Sequence, residues 1–188
     1  MPEFRLTAEP PLAGVDHDYG DMRLSAPADV ALVSIALPLG GEAAAGKAVK
    51  AAYGVALPEV GMSAKAKDGA RLMRLSPDLA MVMFTHATPD AERVVAERLK
   101  GAAYTTDQTD VWCALELNGP GAVRALERIC PLDLHDAAFA VDAAQRTVME
   151  HLGVVIIRTG AEGWLLLSAS SSAGTFLHAI ETSIKNAS

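Results

Sequence analysis

The sequence has 188 residues, of which 51% are hydrophobic and 21% are charged, which is an ordinary globular composition. Its net charge of −7 argues against nucleic acid and against an anionic membrane surface as partners, because both need a basic face. The two cysteines, Cys113 and Cys130, do not indicate a disulfide framework and suit a reducing cytoplasm. The first residues lack the apolar core of a signal peptide, and no apolar run reaches membrane-spanning length, so we expect a cytoplasmic protein.

Residues 1–29 are rich in Pro, Asp and Gly and show little periodicity, which predicts an extended N-terminal leader. An ordinary domain would leave such a leader loose, whereas a subunit of a complex could lay it along a partner. Composition alone does not choose between these two alternatives.

Residues 30–106 show the element order β-α-β-β-α-β and form the first predicted half of the chain. The apolar run at 30–37 predicts a buried strand, and the apolar spacing at 42–53 predicts a helix that Gly54 ends. A loop is expected through Pro58 and Gly61. The remaining predicted elements are strands at 71–75 and 79–84, a helix capped by Thr88 with Pro89 at its first position and ending at Gly101, and a short strand at 103–106.

Residues 107–188 start the same pattern again and form the second predicted half. The predicted elements are strands at 111–117, 147–152, 154–159 and 164–168, a helix at 120–130, and a final helix capped by Ser172 with Phe176, Leu177, Ile180 and Ile184 on its apolar stripe. The two halves share element order but not sequence. The sequence therefore predicts an α+β fold of two tandem βαββαβ-like plaits with antiparallel sheets, in one compact unit.

The stretch between the strand at 111–117 and its helix combines several turn signals. Asn118 is expected to cap the helix, with Pro120 near the first helical position. Gly119 and Gly121 also resemble part of a dinucleotide-binding fingerprint. Arg124 occupies the third glycine position, however, and Pro120 removes an N–H that a pyrophosphate would use. We therefore interpret the stretch as a tight turn and not as a nucleotide site.

Residue types that could carry chemistry are present, but no constellation of them forms an active site. No histidine pairs with another histidine or with a cysteine at zinc-ligand spacing. The serines at 168–172 lack a nucleophile elbow, and the lysines at 47, 50, 65 and 67 suit a solvated face. A histidine held by a carboxylate can act as a general base, but Asp133, His135 and Asp136 are local in sequence and more typical of a solvated turn. We assign no catalytic, cofactor-binding or metal-binding residue.

Several of these segments resemble one known family, the γ subunits of heterotetrameric sarcosine oxidase. The segments are Thr-Asp-Gln-Thr-Asp-Val-Trp at 106–112, Leu-Asn-Gly-Pro-Gly-Ala at 117–122, Ile-Cys-Pro-Leu-Asp-Leu-His at 129–135, Gln-Arg-Thr at 145–147 and the Leu-Ser-Pro-Asp turn at 75–78. The resemblance covers roughly residues 50–186. At 169–173 this chain has Ala-Ser-Ser-Ser-Ala, where an arginine and an aromatic residue are common in the family.

The resemblance implies a fold similar to the folate-binding aminomethyltransferase of the glycine cleavage system. It also implies a complex of α, β, γ and δ subunits that demethylates sarcosine oxidatively to glycine and passes the one-carbon unit to tetrahydrofolate. FAD, FMN, NAD and tetrahydrofolate would then bind to partner subunits, and this chain would be a non-catalytic accessory subunit. Asp107 is the nearest match to an acidic residue of the aminomethyltransferase, and we leave it unassigned. The alternative is a stand-alone folate-binding or aminomethyltransferase-like protein.

Overall fold

The structure is a computed structural model that describes residues 9–87 and 89–187. In this part of the chain, runs of two or three strands are separated by single α-helices. The strands are β1 (Asp16–Asp18), β2 (Arg23–Ser25), β3 (Val30–Ala36), β4 (Met62–Lys65), β5 (Arg71–Ser76), β6 (Leu79–Thr85), β7 (Tyr104–Asp107), β8 (Trp112–Asn118), β9 (Ala144–Met149), β10 (Leu152–Arg158) and β11 (Gly163–Ala169). The helices are α1 (Glu42–Tyr53), α2 (Ala91–Leu99), α3 (Ala122–Leu126) and α4 (Ala173–Ala187).

The strands form two antiparallel sheets, each with helices packed on one face, and the predicted fold class is confirmed. Sheet A has the order β1-β2-β8-β11-β10-β9, and sheet B has the order β4-β5-β6-β3-β7. Buried side chains of α1 and α2 join those of sheet B in one core, and those of α3 and α4 join sheet A in another. A third core, between the sheets, contains Leu32 and Met81 of sheet B and Val155 and Leu167 of sheet A.

Helix α1 has the bounds that the sequence predicts, because its start and end signals are local. Ala45, Val49 and Tyr53 form its buried stripe, and the chain leaves the helix through Gly54 at φ +73°. A residue other than glycine rarely adopts this left-handed conformation, which explains the sharp end. The helical spacing of the apolar residues thus places one face of α1 on sheet B.

Two predicted features of the first half differ from the structure. The sequence predicts no strand between Gly61 and residue 71, yet residues 62–65 form the edge strand β4, which pairs with β5. Helix α2 begins at Ala91, so Pro89 lies before the helix and not at its first position. Asp90 precedes the helix at φ +74° and is tied to it by its ion pair with Arg93. The predicted cap Thr88 lies outside the described residues.

The predicted N-terminal leader contains two short strands of sheet A. Strand β2 pairs antiparallel with β8, and β1 pairs with β2. Leu12, Met22 and Leu24 are buried in the core of the second half. No local pattern indicates this pairing, because the three-residue strands are too short for a periodicity and their partner lies far along the chain.

The N-terminal hairpin, β1 and β2, supplies the strand that the second half otherwise lacks. In sheet B the order β5-β6-β3-β7 places β7 beside β3, the first strand of that half. In sheet A the corresponding order is β10-β11-β8-β2, so β2 lies beside β8 where β7 lies beside β3. The second half is therefore a plait completed by the opposite end of the chain.

The strand boundaries at 144–158 are also shifted from the predicted ones. The sequence predicts strands at 147–152 and 154–159, whereas β9 is Ala144–Met149 and β10 begins at Leu152. The turn between them consists of Glu150 and His151, with φ values of 46° and 70°. Two consecutive positive φ values are typical of a two-residue hairpin turn, and neither residue is a common signal for it.

Candidate functional site

The Gly119–Gly121 turn is a packing site for the N-terminal hairpin. A Cβ atom on Gly119, whose φ is +125°, would lie 2.2 Å from the backbone oxygen of Asp21. A Cβ on Gly121 would lie 2.6 Å from the Asp21 carboxylate and 2.9 Å from the Met22 side chain. The two glycines therefore let residues 21–22 approach β8 and α3 closely.

The same turn corrects two predictions about the start of helix α3. Asn118 is the last residue of β8 and does not cap the helix, and α3 begins at Ala122 after Gly121, which makes no side-chain cap. The helix is shorter than the predicted 120–130, because residues 127–129 continue as turns. Arg124 instead donates from Nη2 to Asp21 Oδ2 at 2.9 Å and from Nε to the Ala187 backbone oxygen at 2.7 Å.

One member of the polar cluster after Cys130, Asp136, is bound by a buried arginine that no sequence motif marks. Arg158 is 3% exposed and donates to Asp136 Oδ1 at 2.6 Å and to the Phe139 backbone oxygen at 2.7 Å. Its guanidinium also donates to the Ala161 oxygen at 2.9 Å and lies 5.4 Å from the ring centroid of Trp164. No periodicity signal distinguishes an arginine at the end of an apolar strand, so only the tertiary structure identifies it.

His135 and Asp133 do not join this buried group. The Asp133 carboxylate accepts the His135 backbone N–H at 3.1 Å, which is a local turn contact. The His135 ring lies 3.8 Å from Glu127 and its side chain is 80% exposed. Within residues 9–87 and 89–187 no side chain hydrogen-bonds to the His135 ring, whereas a general base is normally oriented by such a bond.

Asp107 and the serines near the C-terminus make structural contacts. The Asp107 carboxylate is exposed and accepts the Thr109 backbone N–H at 2.9 Å. The Ser168 hydroxyl donates to the Gly153 oxygen, and the Ser170 hydroxyl donates to the Asp110 oxygen. These hydrogen bonds hold the two serine side chains against neighbouring strands and turns.

A second polar cluster fixes the N-terminal hairpin to helix α4. Glu181 Oε1 lies 2.8 Å from His17 Nδ1 and accepts from the Tyr19 hydroxyl at 3.1 Å, and Glu181 Oε2 lies 3.8 Å from Lys185 Nζ. Burial alone would raise the pKa of Glu181, but the hydrogen bonds from Tyr19 and His17 and the charge of Lys185 together lower it. The carboxylate is therefore stabilised in its charged form at the hairpin.

Two surface clefts in the described residues are shallow, and the polar clusters around Arg158 and Glu181 do not line them. One cleft of about 470 Å³ lies between α1 and β5 and includes Lys47 and Lys50, and another of about 480 Å³ lies beside the β9–β10 turn and includes His151. Within residues 9–87 and 89–187, no three His, Cys, Asp or Glu side chains are placed to hold a metal ion. No helix in this range is long and apolar enough to cross a membrane.

Comparison with curated proteins identifies γ subunits of sarcosine oxidase as relatives. The chain is 32% identical over 125 residues to the γ subunit from Corynebacterium sp. (strain P-1), which is 66% of this chain and 62% of that protein. It is 34% identical over 121 residues to the γ subunit from an Arthrobacter species, which is 64% of this chain and 60% of that protein. The matched region thus spans about 60% of these relatives. No protein family model matches the chain.

Comparison with solved structures extends the likeness to most of the fold. A chain of the heterotetrameric sarcosine oxidase from Corynebacterium sp. U-96, solved with pyrrole 2-carboxylate, superposes with a TM-score of 0.75 at 26% identity. That match covers 88% of this chain and 84% of the other. The aminomethyltransferase T of the glycine cleavage system from Bartonella henselae has the same fold over 84% of this chain and 44% of its own, with a TM-score of 0.63 at 18% identity.

Proposed function

Because the chain is homologous to the γ subunits of sarcosine oxidase, we propose that it is a non-catalytic accessory subunit of a heterotetrameric sarcosine oxidase. The complex would demethylate sarcosine oxidatively to glycine and transfer the one-carbon unit to tetrahydrofolate. The α, β and δ subunits would be the partners of this chain and would carry FAD, FMN, NAD and tetrahydrofolate. We place the complex in the cytoplasm.

The observation that carries this proposal is the structural match to a chain of heterotetrameric sarcosine oxidase. It covers 88% of this chain and 84% of the other with a TM-score of 0.75. A match of this extent includes both halves of the fold, whereas a shared single plait would cover about half of the chain. The sequence identity of 32–34% to γ subunits supports the same assignment independently.

The polar clusters of the chain support an accessory role over a catalytic one. Arg158, Glu181 and Arg124 all use their hydrogen bonds to hold one segment of the chain to another. A group that acts on a substrate needs a free donor or acceptor facing a pocket. The Gly119–Gly121 turn, which faces Asp21 and Met22, has the same internal role.

Co-expression tests the assembly directly. The chain would be produced with the sarcosine oxidase α, β and δ subunits of the same organism and separated by size exclusion, with absorbance recorded at flavin wavelengths. We expect one yellow complex that contains all four chains. Elution of this chain as a free monomer beside a complete flavoprotein would refute the proposal.

The stand-alone folate-binding alternative rests on the fold of the aminomethyltransferase, and no residue contact favours it. Asp107, the nearest match to the aminomethyltransferase acid, is exposed and already accepts the Thr109 N–H. Titration of the isolated chain with tetrahydrofolate separates the two functions. An accessory subunit gives neither heat nor a shift in melting temperature, whereas a folate-binding protein gives both.

A further inference from the structure

The outer edge of β7 is one of the sheet edges that the described part of the molecule leaves open. The other sheet B edge, β4, meets the segment just before β9 at the Met62–Ala143 bridge, and the described strands pair β9 itself with β10 alone. The remaining edge, β1, has the sequence Asp-His-Asp with all three residues exposed, and charge on an edge strand discourages pairing. Strand β7 pairs on one side with β3, and no other strand within residues 9–87 and 89–187 pairs with it.

The hydrogen-bond register identifies the backbone groups that face outward from β7. The Gln108 N–H donates to the Leu32 oxygen at 2.8 Å, so these two residues form a hydrogen-bonded pair. Such pairs alternate along antiparallel strands. Thr106 and Tyr104 therefore bond to β3, and the N–H and C=O groups of Thr105 and Asp107 point away from the sheet.

Exposed apolar residues lie at both ends of this open edge. Tyr104, at the start of β7, is 70% exposed, and Leu39 is fully exposed in the turn that follows β3 at the same end. Val111, just beyond the other end, is 48% exposed. Open backbone groups flanked by apolar side chains match the requirements for strand addition, in which backbone bonds give affinity and flanking side chains give specificity.

The C-terminal end of β7 is negatively charged. Asp107 and Asp110 are exposed, and neither forms an ion pair with any described residue. Both lie in a chain of net charge −7. An extended segment that pairs with β7 would gain from lysine or arginine near this end, because complementary charge steers association and fixes register.

Sheet A offers an internal precedent for the same pairing. Strand β2 occupies beside β8 the position that β7 occupies beside β3, and β2 is covered on its outer side by β1. The equivalent position outside β7 has no strand among the described residues. We propose that this position is filled by an extended basic segment of a partner subunit, which adds to sheet B as a further strand along β7.

This inference rests on the proposed accessory function, and the test separates the two. The full chain would be titrated onto the co-expressed flavin-containing subunits, and its affinity compared with that of two variants. Thr105→Pro removes an outward N–H, and the double variant Asp107→Lys/Asp110→Lys reverses the charge. We expect a loss of affinity of about tenfold or more in both. The matched control Glu59→Lys/Glu150→Lys reverses two exposed charges elsewhere and is expected to bind like the wild type.

Hydrogen exchange of the wild-type complex gives a second readout that does not depend on the folding of a variant. The amide protons of Thr105 and Asp107 are expected to become protected on assembly, because a new strand would accept them. Failure of the wild-type chain to join the complex would refute the accessory function. Assembly with these amides unprotected and the variants binding normally would overturn the strand-addition proposal alone.

Discussion

Two glycines on one turn determine how closely the N-terminal hairpin approaches β8 and α3. Gly119 and Gly121 leave the space that the backbone and side chain of Asp21 and the side chain of Met22 occupy. The amino-acid composition of this segment predicts a turn, and it explains the two glycines only as residues that the turn geometry requires. Their second role is to allow a distant segment to pack closely against the turn. This role depends on a tertiary contact, so no local sequence pattern predicts it.

Replacing Gly119 with alanine should destabilise the protein by about 1–3 kcal/mol, as strained backbone and overpacked sites do. The new Cβ would lie 2.2 Å from the Asp21 backbone oxygen at a φ of +125°, so the hairpin must shift. Urea denaturation monitored by circular dichroism measures the change. Gly174→Ala is the matched control, because a Cβ on that helical glycine would have no neighbouring atom within 4 Å. It should be neutral or stabilising by about 0.5–1 kcal/mol.

Arg158 illustrates how burial determines the contribution of an arginine to stability. Its side chain is 4% exposed, and it satisfies Asp136 and the backbone oxygens of Phe139 and Ala161 in one loop. The Arg23–Asp16 pair has a similar short distance of 2.6 Å, yet its side chains are 63% and 53% exposed. Exposed pairs of this kind contribute little, because water screens them.

Arg158→Met should therefore cost about 1–3 kcal/mol of unfolding free energy, since backbone carbonyl groups lose their donors in a buried site, whereas the Asp136 side chain is 90% exposed and remains solvated. Arg23→Met should cost less than about 1 kcal/mol. Chemical denaturation of both variants under the same conditions measures the contrast. Equal losses in the two variants would contradict the assignment of Arg158 as the organising residue of this loop.

At the scale of elements, the N-terminal hairpin is held to helix α4 by ionisable groups. Glu181 has a lowered pKa, so its carboxylate is more acidic in the folded chain than in the unfolded one. A group of this kind contributes stability above its unfolded pKa and loses it as the pH falls through the folded pKa. The hairpin contact should thus weaken in acid.

Lowering the pH below about 4.3, the ordinary value for glutamate, should destabilise the wild type progressively through protonation of Glu181. The Glu181→Gln variant should be less stable than the wild type at neutral pH, and the difference should shrink in acid because the neutral amide does not titrate. Melting temperatures of both proteins between about pH 3 and pH 7 measure the convergence. A difference that stays constant over this range would show that the carboxylate charge is unimportant here.

At the scale of the whole molecule, the fold class and most elements are predictable from the sequence, but the way in which the second half is completed is not. Helix α1 and the β5–β6 hairpin follow from local periodicity and turn residues, and both are present where expected. The β2–β8 pairing joins segments separated by the entire first half, and short strands carry too few residues for a pattern. The same reason explains why the packing role of Gly119 and the burial of Arg158 could not be predicted.

The resemblance identified from the segments around Gly119 and Cys130 was confirmed by the comparisons with γ subunits. The segment around Gly119 joins β8 to α3 and contacts the N-terminal hairpin, whereas the segment around Cys130 leads into the loop bound by Arg158. The assignment of no catalytic residue stays a prediction. Local motifs were therefore sufficient to identify the relatives, whereas the contacts made by these motifs could be identified only from the structure.

The position of β2 near the start of the sequence affects how the chain folds while it is synthesised on the ribosome. Residues 16–25 are synthesised before either half, yet their partner β8 follows only after all of sheet B. The first half can fold as it emerges, while the hairpin waits with an unpaired edge. The second half is therefore completed only when an early segment pairs with a strand made much later, so a substitution that weakens the β2–β8 pairing should affect the last stage of folding and not the first.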